Sequence, residues 1–214
     1  MNKEKVFKII ALVLNLFVLI SGQIIIWRIL VIGYGTPSKY GALHYEFLEY
    51  FTNLSNLYTS IVAGLLAVFS IIHFKDDEYE LPRWLSLMHL SAACSLALTA
   101  STVLFFLGPV NGFDLMYKED MAFYHLINPI AIVVSFFLMR HPKYYFRCTF
   151  WGIVPMALYG IFYSTFVLTG VWEDFYGFTF GGKPWAIFVV LPIMLCVTYL
   201  ISFLLSIKNL RKQK

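Results

Sequence analysis

Six long apolar stretches, separated by short polar connections, constrain the fold of this chain more than any other feature. Each exceeds the ~18 residues that argue for a membrane-spanning helix rather than a helix buried in a soluble core. Hydrophobic residues make up 60% of the 214 residues and charged residues only 13%, whereas a soluble domain is about a quarter charged. We therefore predict an all-α integral membrane protein, a single bundle of six transmembrane helices over residues 1–214. The predicted spans are 6–26, 51–74, 85–107, 121–139, 150–171 and 184–207.

The distribution of basic residues predicts the orientation. With six spans, 12 of the 16 lysines and arginines fall on the side that the two termini share. An excess of these residues marks the cytoplasmic side, so we predict cytoplasmic termini in a multi-pass protein of the cell membrane. The net charge of +4 then reflects insertion and contact with anionic lipid, without a nucleic-acid partner. The 12 are Lys3, Lys5, Lys8, Lys75, Arg83, Arg140, Lys143, Arg147, Lys208, Arg211, Lys212 and Lys214, and the others are Arg28, Lys39, Lys118 and Lys183.

A stripe of polar side chains lies on one predicted face of the second span. Thr52, Ser55, Asn56 and Thr59 recur at i, i+3, i+4 and i+7, which is the spacing of one helical face. Lipid cannot satisfy such groups, so this face should turn towards the bundle interior or a wet cavity. Serine and threonine are also common where helices only pack against each other. The sequence leaves both interpretations open.

Thr52 and His125 lie at matched depth when successive spans cross the membrane in opposite directions. Each is near the start of its span, and both starts face the same side. A threonine hydroxyl becomes a nucleophile when a base removes its proton, and neutral histidine is the usual base. The dipole at a helix N-terminus disfavours an imidazolium, which would keep His125 neutral. The pair therefore predicts acyl transfer from an ester to water.

Further polar residues are predicted to support this chemistry. Amide side chains such as those of Asn56 and Asn128 can donate hydrogen bonds to a developing oxyanion. We predict that these two, with Ser55 and Tyr163, bind the substrate or stabilise the oxyanion. Metal sites need clustered histidine, cysteine or carboxylate ligands, and His125 is the only histidine well inside a predicted span. We therefore predict neither a metal nor another cofactor.

Two short motifs resemble a known family of membrane proteins. Residues 51–56 read Phe-Thr-x-x-Ser-Asn, which is similar to a signature of the bacterial Pr6Pr membrane proteins, and residues 125–129 match their His-x-x-x-Pro segment. The tyrosine-rich residues 159–176 resemble a further segment of that family. Related androgen-induced transmembrane proteins of animals cleave fatty acid esters of hydroxy fatty acids with one threonine and one histidine. The resemblance implies those roles for Thr52 and His125.

These residues lead to one functional prediction and two alternatives. The prediction is a membrane-embedded hydrolase of lipid or fatty acid esters, with Thr52 as nucleophile, His125 as general base and membrane lipids or a lipid ester as partner. We then expect the Thr52 hydroxyl within ~3–4 Å of a ring nitrogen of His125. One alternative is a non-catalytic lipid-binding or transport protein with a polar interior cavity. The other is a structural membrane subunit whose polar stripes form a closed, dry seam.

Overall fold

The computed structural model describes residues 3–33, 42–76 and 78–210 and confirms the predicted all-α membrane bundle. No β-strand occurs in those ranges. Six helices within them are long and apolar enough to cross a membrane. They are α1 (Lys3–Ile32), α2 (Phe51–Ile72), α3 (Arg83–Asn111), α4 (Asp120–Leu138), α5 (Phe146–Leu168) and α6 (Pro184–Asn209).

Several turns of these helices are irregular. A π-helical turn, Val103–Leu107, interrupts α3, and another, Phe123–Ile127, interrupts α4. A proline, Pro109 or Pro129, follows each of these turns by two residues. Because proline lacks an N–H and clashes with the preceding turn, it breaks the regular α-helical hydrogen-bond ladder. The first eight residues of α5 are 3-10 helix, as are Tyr45–Glu49 ahead of α2.

The basic connections meet at one end of the bundle, here called the basic end. The guanidinium of Arg140 pairs with the Glu4 carboxylate at 3.4 Å, and the backbone N–H of Leu81 donates to the Arg140 carbonyl at 3.1 Å. The backbone N–H of Tyr144 donates to the Asn209 carbonyl at 2.7 Å. The start of α1, the connections after α2 and α4, and the end of α6 therefore lie together. Four of the counted basic residues fall outside the described residues: Lys39, Arg211, Lys212 and Lys214.

Helix α3 is the centre of the bundle. It contacts α2, α4, α5 and α6, and its small residues Ala92, Ala93 and Cys94 are fully buried. Small side chains let helix backbones approach closely, which is the usual basis of packing inside a membrane. Gly152 of α5 shows how close this approach is, because a Cβ added there would overlap Ser202 of α6 and lie 2.8 Å from the Cys94 sulfur. Many large apolar side chains are exposed on the outside of the bundle, as expected for a surface in contact with lipid.

Candidate functional site

Thr52 lies at the end of the bundle opposite the basic end, in the first turn of α2. It is half-buried, and its side chain faces the hydroxyl of Tyr176 from the connection between α5 and α6. The Tyr176 oxygen accepts the backbone N–H of Phe51 at 3.0 Å and also faces the hydroxyl of Tyr159. Tyr159 in turn donates to the Glu49 carbonyl at 2.8 Å. Three hydroxyl groups, from Thr52, Tyr159 and Tyr176, therefore meet at the start of α2.

Burial raises the pKa of Tyr176 to about 12, although the hydrogen bonds from Phe51, Tyr159 and Thr52 act in the opposite direction. Tyr176 therefore keeps its proton at neutral pH. It can donate a hydrogen bond to an oxygen in this region, but it cannot accept a proton from Thr52 as a general base.

A small cavity opens beside these hydroxyls. Its volume is about 30 Å³, which is room for one or two water molecules. The polar groups on its walls are all hydroxyls, and they come from Thr52, Thr99, Thr102, Tyr159 and Tyr176. The other walls are apolar and include the π-helical residues Val103 and Leu107 of α3.

An apolar groove adjoins this cavity on the surface of the bundle. The groove lies between α3 and α6, has a volume of about 370 Å³, and shares Thr102, Phe178 and Met194 with the walls of the cavity. Phe105 and Phe106 line it further out and are exposed on the face that meets lipid. A mostly apolar cavity with hydroxyl groups on its wall thus lies next to a lipid-facing groove on the α3 side of Thr52.

His125 lies in the π-helical turn of α4 and is 6% exposed. Its Nδ1 is 2.6 Å from the carbonyl oxygen of Met116, in the connection before α4. A carbonyl oxygen only accepts hydrogen bonds, so in the neutral ring Nδ1 carries the proton and Nε2 keeps a free electron pair. Among the described residues, none is hydrogen-bonded to Nε2. The ring is thus held in the tautomer that a general base requires.

Thr52 and His125 are not hydrogen-bonded to each other in the part of the chain that the structure describes. The reason is local: the Met116 carbonyl holds the imidazole, while Tyr176 faces the threonine hydroxyl. Asn56 connects the two regions, since its amide nitrogen is 2.8 Å from the Thr52 carbonyl and 3.4 Å from the Tyr124 carbonyl.

The predicted oxyanion donors make hydrogen bonds between helices. The Asn128 amide nitrogen donates to the Asn56 side-chain oxygen at 3.3 Å, and the Ser21 hydroxyl of α1 donates to the Asn128 side-chain oxygen at 2.8 Å. Ser55 donates to the Thr52 carbonyl at 3.0 Å and lies 3.2 Å from the Thr99 hydroxyl. Asn56, Asn128 and Ser55 are buried and do not line the cavity at Thr52. They hold α1, α2, α3 and α4 together around it.

Tyr163 has a similar supporting position. Its hydroxyl donates to the Asp174 carboxylate at 2.6 Å and accepts the backbone N–H of Tyr176 at 3.2 Å. Asp174 also accepts the backbone N–H groups of Phe178 and Thr179, at 2.9 and 2.6 Å. Burial raises the pKa of this carboxyl, but the hydrogen bonds from Thr179, Tyr163 and the backbone outweigh it and lower the pKa. This arrangement folds the connection between α5 and α6 back over the bundle and so positions Tyr176.

The structure adds Tyr176, Thr99 and Thr102 to the residues at Thr52. Thr99 and Thr102 belong to a polar stripe that the sequence of α3 displays, whereas no sequence signal brings Tyr176 of a connecting loop to the start of α2. Among the described residues, no group of three or more histidine, cysteine, aspartate or glutamate side chains is placed to hold a metal ion. No known protein family, curated protein or solved structure matches this chain. The fold and site define a six-helix membrane protein with a hydroxyl-lined cavity beside a lipid-facing groove.

Proposed function

We propose that the protein is a membrane-embedded hydrolase of lipid esters. The observation that carries this proposal is that the cavity at Thr52, which has several hydroxyl groups in its lining, shares a wall with the apolar groove between α3 and α6. A lipid ester has a small polar carbonyl group on a long apolar chain, and these two spaces match its two parts. Binding sites of this kind combine mostly apolar walls with a few placed polar groups.

Thr52 is the proposed nucleophile and His125 the proposed base. The Thr52 oxygen forms a bond to the ester carbonyl carbon while its proton passes to Nε2 of His125. The bond to the alcohol breaks, and the alcohol oxygen takes that proton as it leaves. A water molecule then attacks the acyl-threonine and loses a proton to the same nitrogen, which releases the fatty acid and restores the hydroxyl. Tyr176, protonated at neutral pH, is placed to donate a hydrogen bond to the carbonyl oxygen.

This reaction requires His125 to approach Thr52 in the substrate complex, directly or through one water molecule. Catalytic hydrogen bonds are often longer in the unliganded enzyme and tighten when substrate binds. The π-helical turn that carries His125 supports this step, because such turns occur frequently at functional sites. The amide of Asn56, which bonds to both neighbouring segments, keeps them together during the approach.

We also propose the location and the family relationship. The basic residues gathered at one end of the bundle support cytoplasmic termini in the cell membrane, which places the Thr52 site towards the outer leaflet. The motifs at residues 51–56 and 125–129 support a relationship to the Pr6Pr group and, through it, to the related animal proteins that use a threonine and a histidine.

A second candidate function is lipid binding without catalysis. The specific observation in its favour is that the Thr52 hydroxyl faces Tyr176 rather than an imidazole. Tyr176 is protonated and is not a base, so this state by itself offers a polar site for an ester group and no proton acceptor beside Thr52. The cavity and groove then hold the lipid, and no bond is broken.

The decisive experiment measures binding and hydrolysis separately. Purified protein in detergent is given a chromogenic long-chain ester for turnover and a fluorescent ether analogue, which has no cleavable bond, for binding. We expect Thr52→Ala and His125→Gln each to lower turnover by at least about 100-fold. Both should bind the ether analogue as wild type does. Because the two residues act in one proton transfer, the double variant should lose little more than either single variant.

The matched control is Thr165→Ala. Thr165 is exposed on α5 and donates to the Ile161 carbonyl of its own helix, so turnover should stay unchanged. Thr52→Ser keeps the hydroxyl and should retain part of the activity. Analogue binding with no ester turnover in wild type would replace the hydrolase proposal with the lipid-binding one. Failure of the protein to bind the analogue would refute both.

A further inference from the structure

A second and larger groove lies at the basic end, away from the Thr52 site. Its volume is about 790 Å³, and its walls come from α2, α3 and α5. The groove forms because α2 and α5 both pack on α3 and leave its face open between them. Its lining is apolar along most of its length, and Trp84, Trp151 and Leu158 are half-exposed there. Such a surface within a membrane is covered by lipid chains or by another protein.

Two arginines contact the same aromatic ring at the basic end, and one of them lines this groove. Arg83 belongs to its lining, and the Arg83 guanidinium lies 5.0 Å from the centre of the Tyr145 ring. The Arg147 guanidinium lies 5.4 Å from the same ring, so both guanidinium groups contact one aromatic side chain. Arg83 also donates to the Cys148 sulfur at 3.1 Å. Within the described ranges, no carboxylate is close enough to pair with either guanidinium.

We propose that this groove is a binding site for an anionic phospholipid. The phosphate pairs with Arg83 and Arg147, for which the planar guanidinium group is well suited. One acyl chain lies along α3 from Arg83 to Ser91, about 12 Å of helix. The Tyr58 hydroxyl, 2.6 Å from that of Ser91, marks the deep end of the groove. The two tryptophans at the mouth match the preference of indole for the membrane interface.

The charge at the mouth distinguishes this occupant from a partner helix. Two positive charges with no carboxylate partner among the described residues lie beside an apolar groove. This arrangement complements a molecule with a negative head and a hydrocarbon chain. Each cationic side chain near an anionic lipid surface contributes about fivefold in affinity, so the pair predicts a preference of about 25-fold over a zwitterionic lipid. The inference is independent of any activity at Thr52.

The groove tryptophans provide the assay. A background variant, with Trp27, Trp172 and Trp185 changed to phenylalanine, keeps only Trp84 and Trp151. It is reconstituted in phosphatidylcholine vesicles that contain a rising fraction of lipid with brominated acyl chains. Bromine quenches tryptophan fluorescence on contact, so the fluorescence reports which lipid occupies the groove. We expect brominated phosphatidylglycerol to quench at a mole fraction about 25-fold lower than brominated phosphatidylcholine.

The arginine variants separate a specific site from general surface charge. Arg83→Gln combined with Arg147→Gln should reduce the preference to about 1–2-fold, while quenching by pure brominated phosphatidylcholine stays unchanged and shows that the groove is intact. Arg140→Gln, at the same end but paired with Glu4, should keep the preference. An equal loss in Arg140→Gln, or no preference in the background protein, would overturn the proposal. Weak quenching by both lipids would mean that protein covers the groove and would overturn it as well.

Discussion

Acidification should destabilise the protein through His141, a buried histidine between α4 and α5. His141 is 7% exposed. Its Nε2 lies 2.9 Å from the Phe136 carbonyl oxygen and therefore donates to it, while Nδ1 accepts from the Ser86 hydroxyl at 2.7 Å. The neutral ring thus has both nitrogens satisfied. A second proton on Nδ1 would face a hydroxyl that already donates in that direction, in a site with little access to water.

The pKa of His141 gives the size and the pH range of the effect. Burial lowers this pKa to about 4, opposed by the hydrogen bond to Phe136 and assisted by the charge of Lys208. A histidine in an unfolded chain titrates near 6.5. The unfolded state therefore takes up a proton first as the pH falls, so stability is full above about pH 6.5 and declines down to about pH 4. A difference of about 2.5 pKa units, at 1.36 kcal/mol for each unit, limits the loss to about 3 kcal/mol.

Unfolding by sodium dodecyl sulfate in mixed micelles, repeated from about pH 7.5 to about pH 4.5, measures this loss. We expect His141→Gln to be less stable than wild type at neutral pH. On acidification its free energy of unfolding should fall less than that of wild type, by up to about 3 kcal/mol. His73→Gln is the control, because it removes a partly buried imidazole from the same end and leaves His141 in place. If His141→Gln keeps the wild-type slope, this origin of the pH dependence is refuted.

Four further changes test the packing and the topology. Asn128→Leu removes the hydrogen bonds that join α1, α2 and α4, so the free energy of unfolding should fall by about 1–3 kcal/mol, and an unchanged value would contradict that network. Asp174→Asn should lower the free energy of unfolding by a similar amount. Because the pKa of Asp174 is lowered in the folded protein, the carboxylate stabilises the fold above about pH 3.8. The difference in stability between wild type and variant should therefore shrink only below that pH. Gly152→Val should lower the free energy of unfolding by about 1–3 kcal/mol and more than Gly160→Val does, since its Cβ meets the short Ser202 side chain and the Cys94 sulfur rather than the flexible end of a leucine. In intact cells, an impermeant thiol reagent should label a cysteine placed at 118 and not one placed at 78, and the reverse pattern would invert the topology.

The sequence was sufficient for the number of helices because lipid imposes a length and an apolar composition on each of them. It was less informative about their ends, which depend on local backbone geometry. The third helix was predicted over 85–107 but continues to Asn111, since the π-helical turn before Pro109 lets the chain remain helical through that proline. The fifth was predicted to end at 171 but ends at Leu168, close to Gly170, whose φ of 73° suits a residue just beyond a helix.

The polar positions of α2 predicted which face turns inward, and Ser55, Asn56 and Thr59 are indeed buried. They could not predict how each side chain would be used, because the decisive partners lie in connections without periodicity. Met116 reaches His125 from the segment before α4, and Tyr176 reaches Thr52 from the segment after α5. The second contact depends on Asp174, whose hydrogen bonds fix a loop that spacing arguments cannot place.

Both π-helical turns of the described residues lie near the candidate site, and this bears on the choice between catalysis and packing. Inside a membrane, non-α-helical backbone is tolerated where it is buried in protein or lines a cavity, because unsatisfied carbonyl and N–H groups are costly in lipid. Both π-helical turns lie at the Thr52 end: Val103 and Leu107 line the cavity, and the other turn carries His125. The basic end has irregular backbone of another kind, the 3-10 start of α5, and there it carries the tightly packed contact of Gly152 with Ser202. A subunit that only packs helices has no need of two irregular turns beside a hydroxyl-lined cavity, so the hydrolase and lipid-binding functions are the ones to test first.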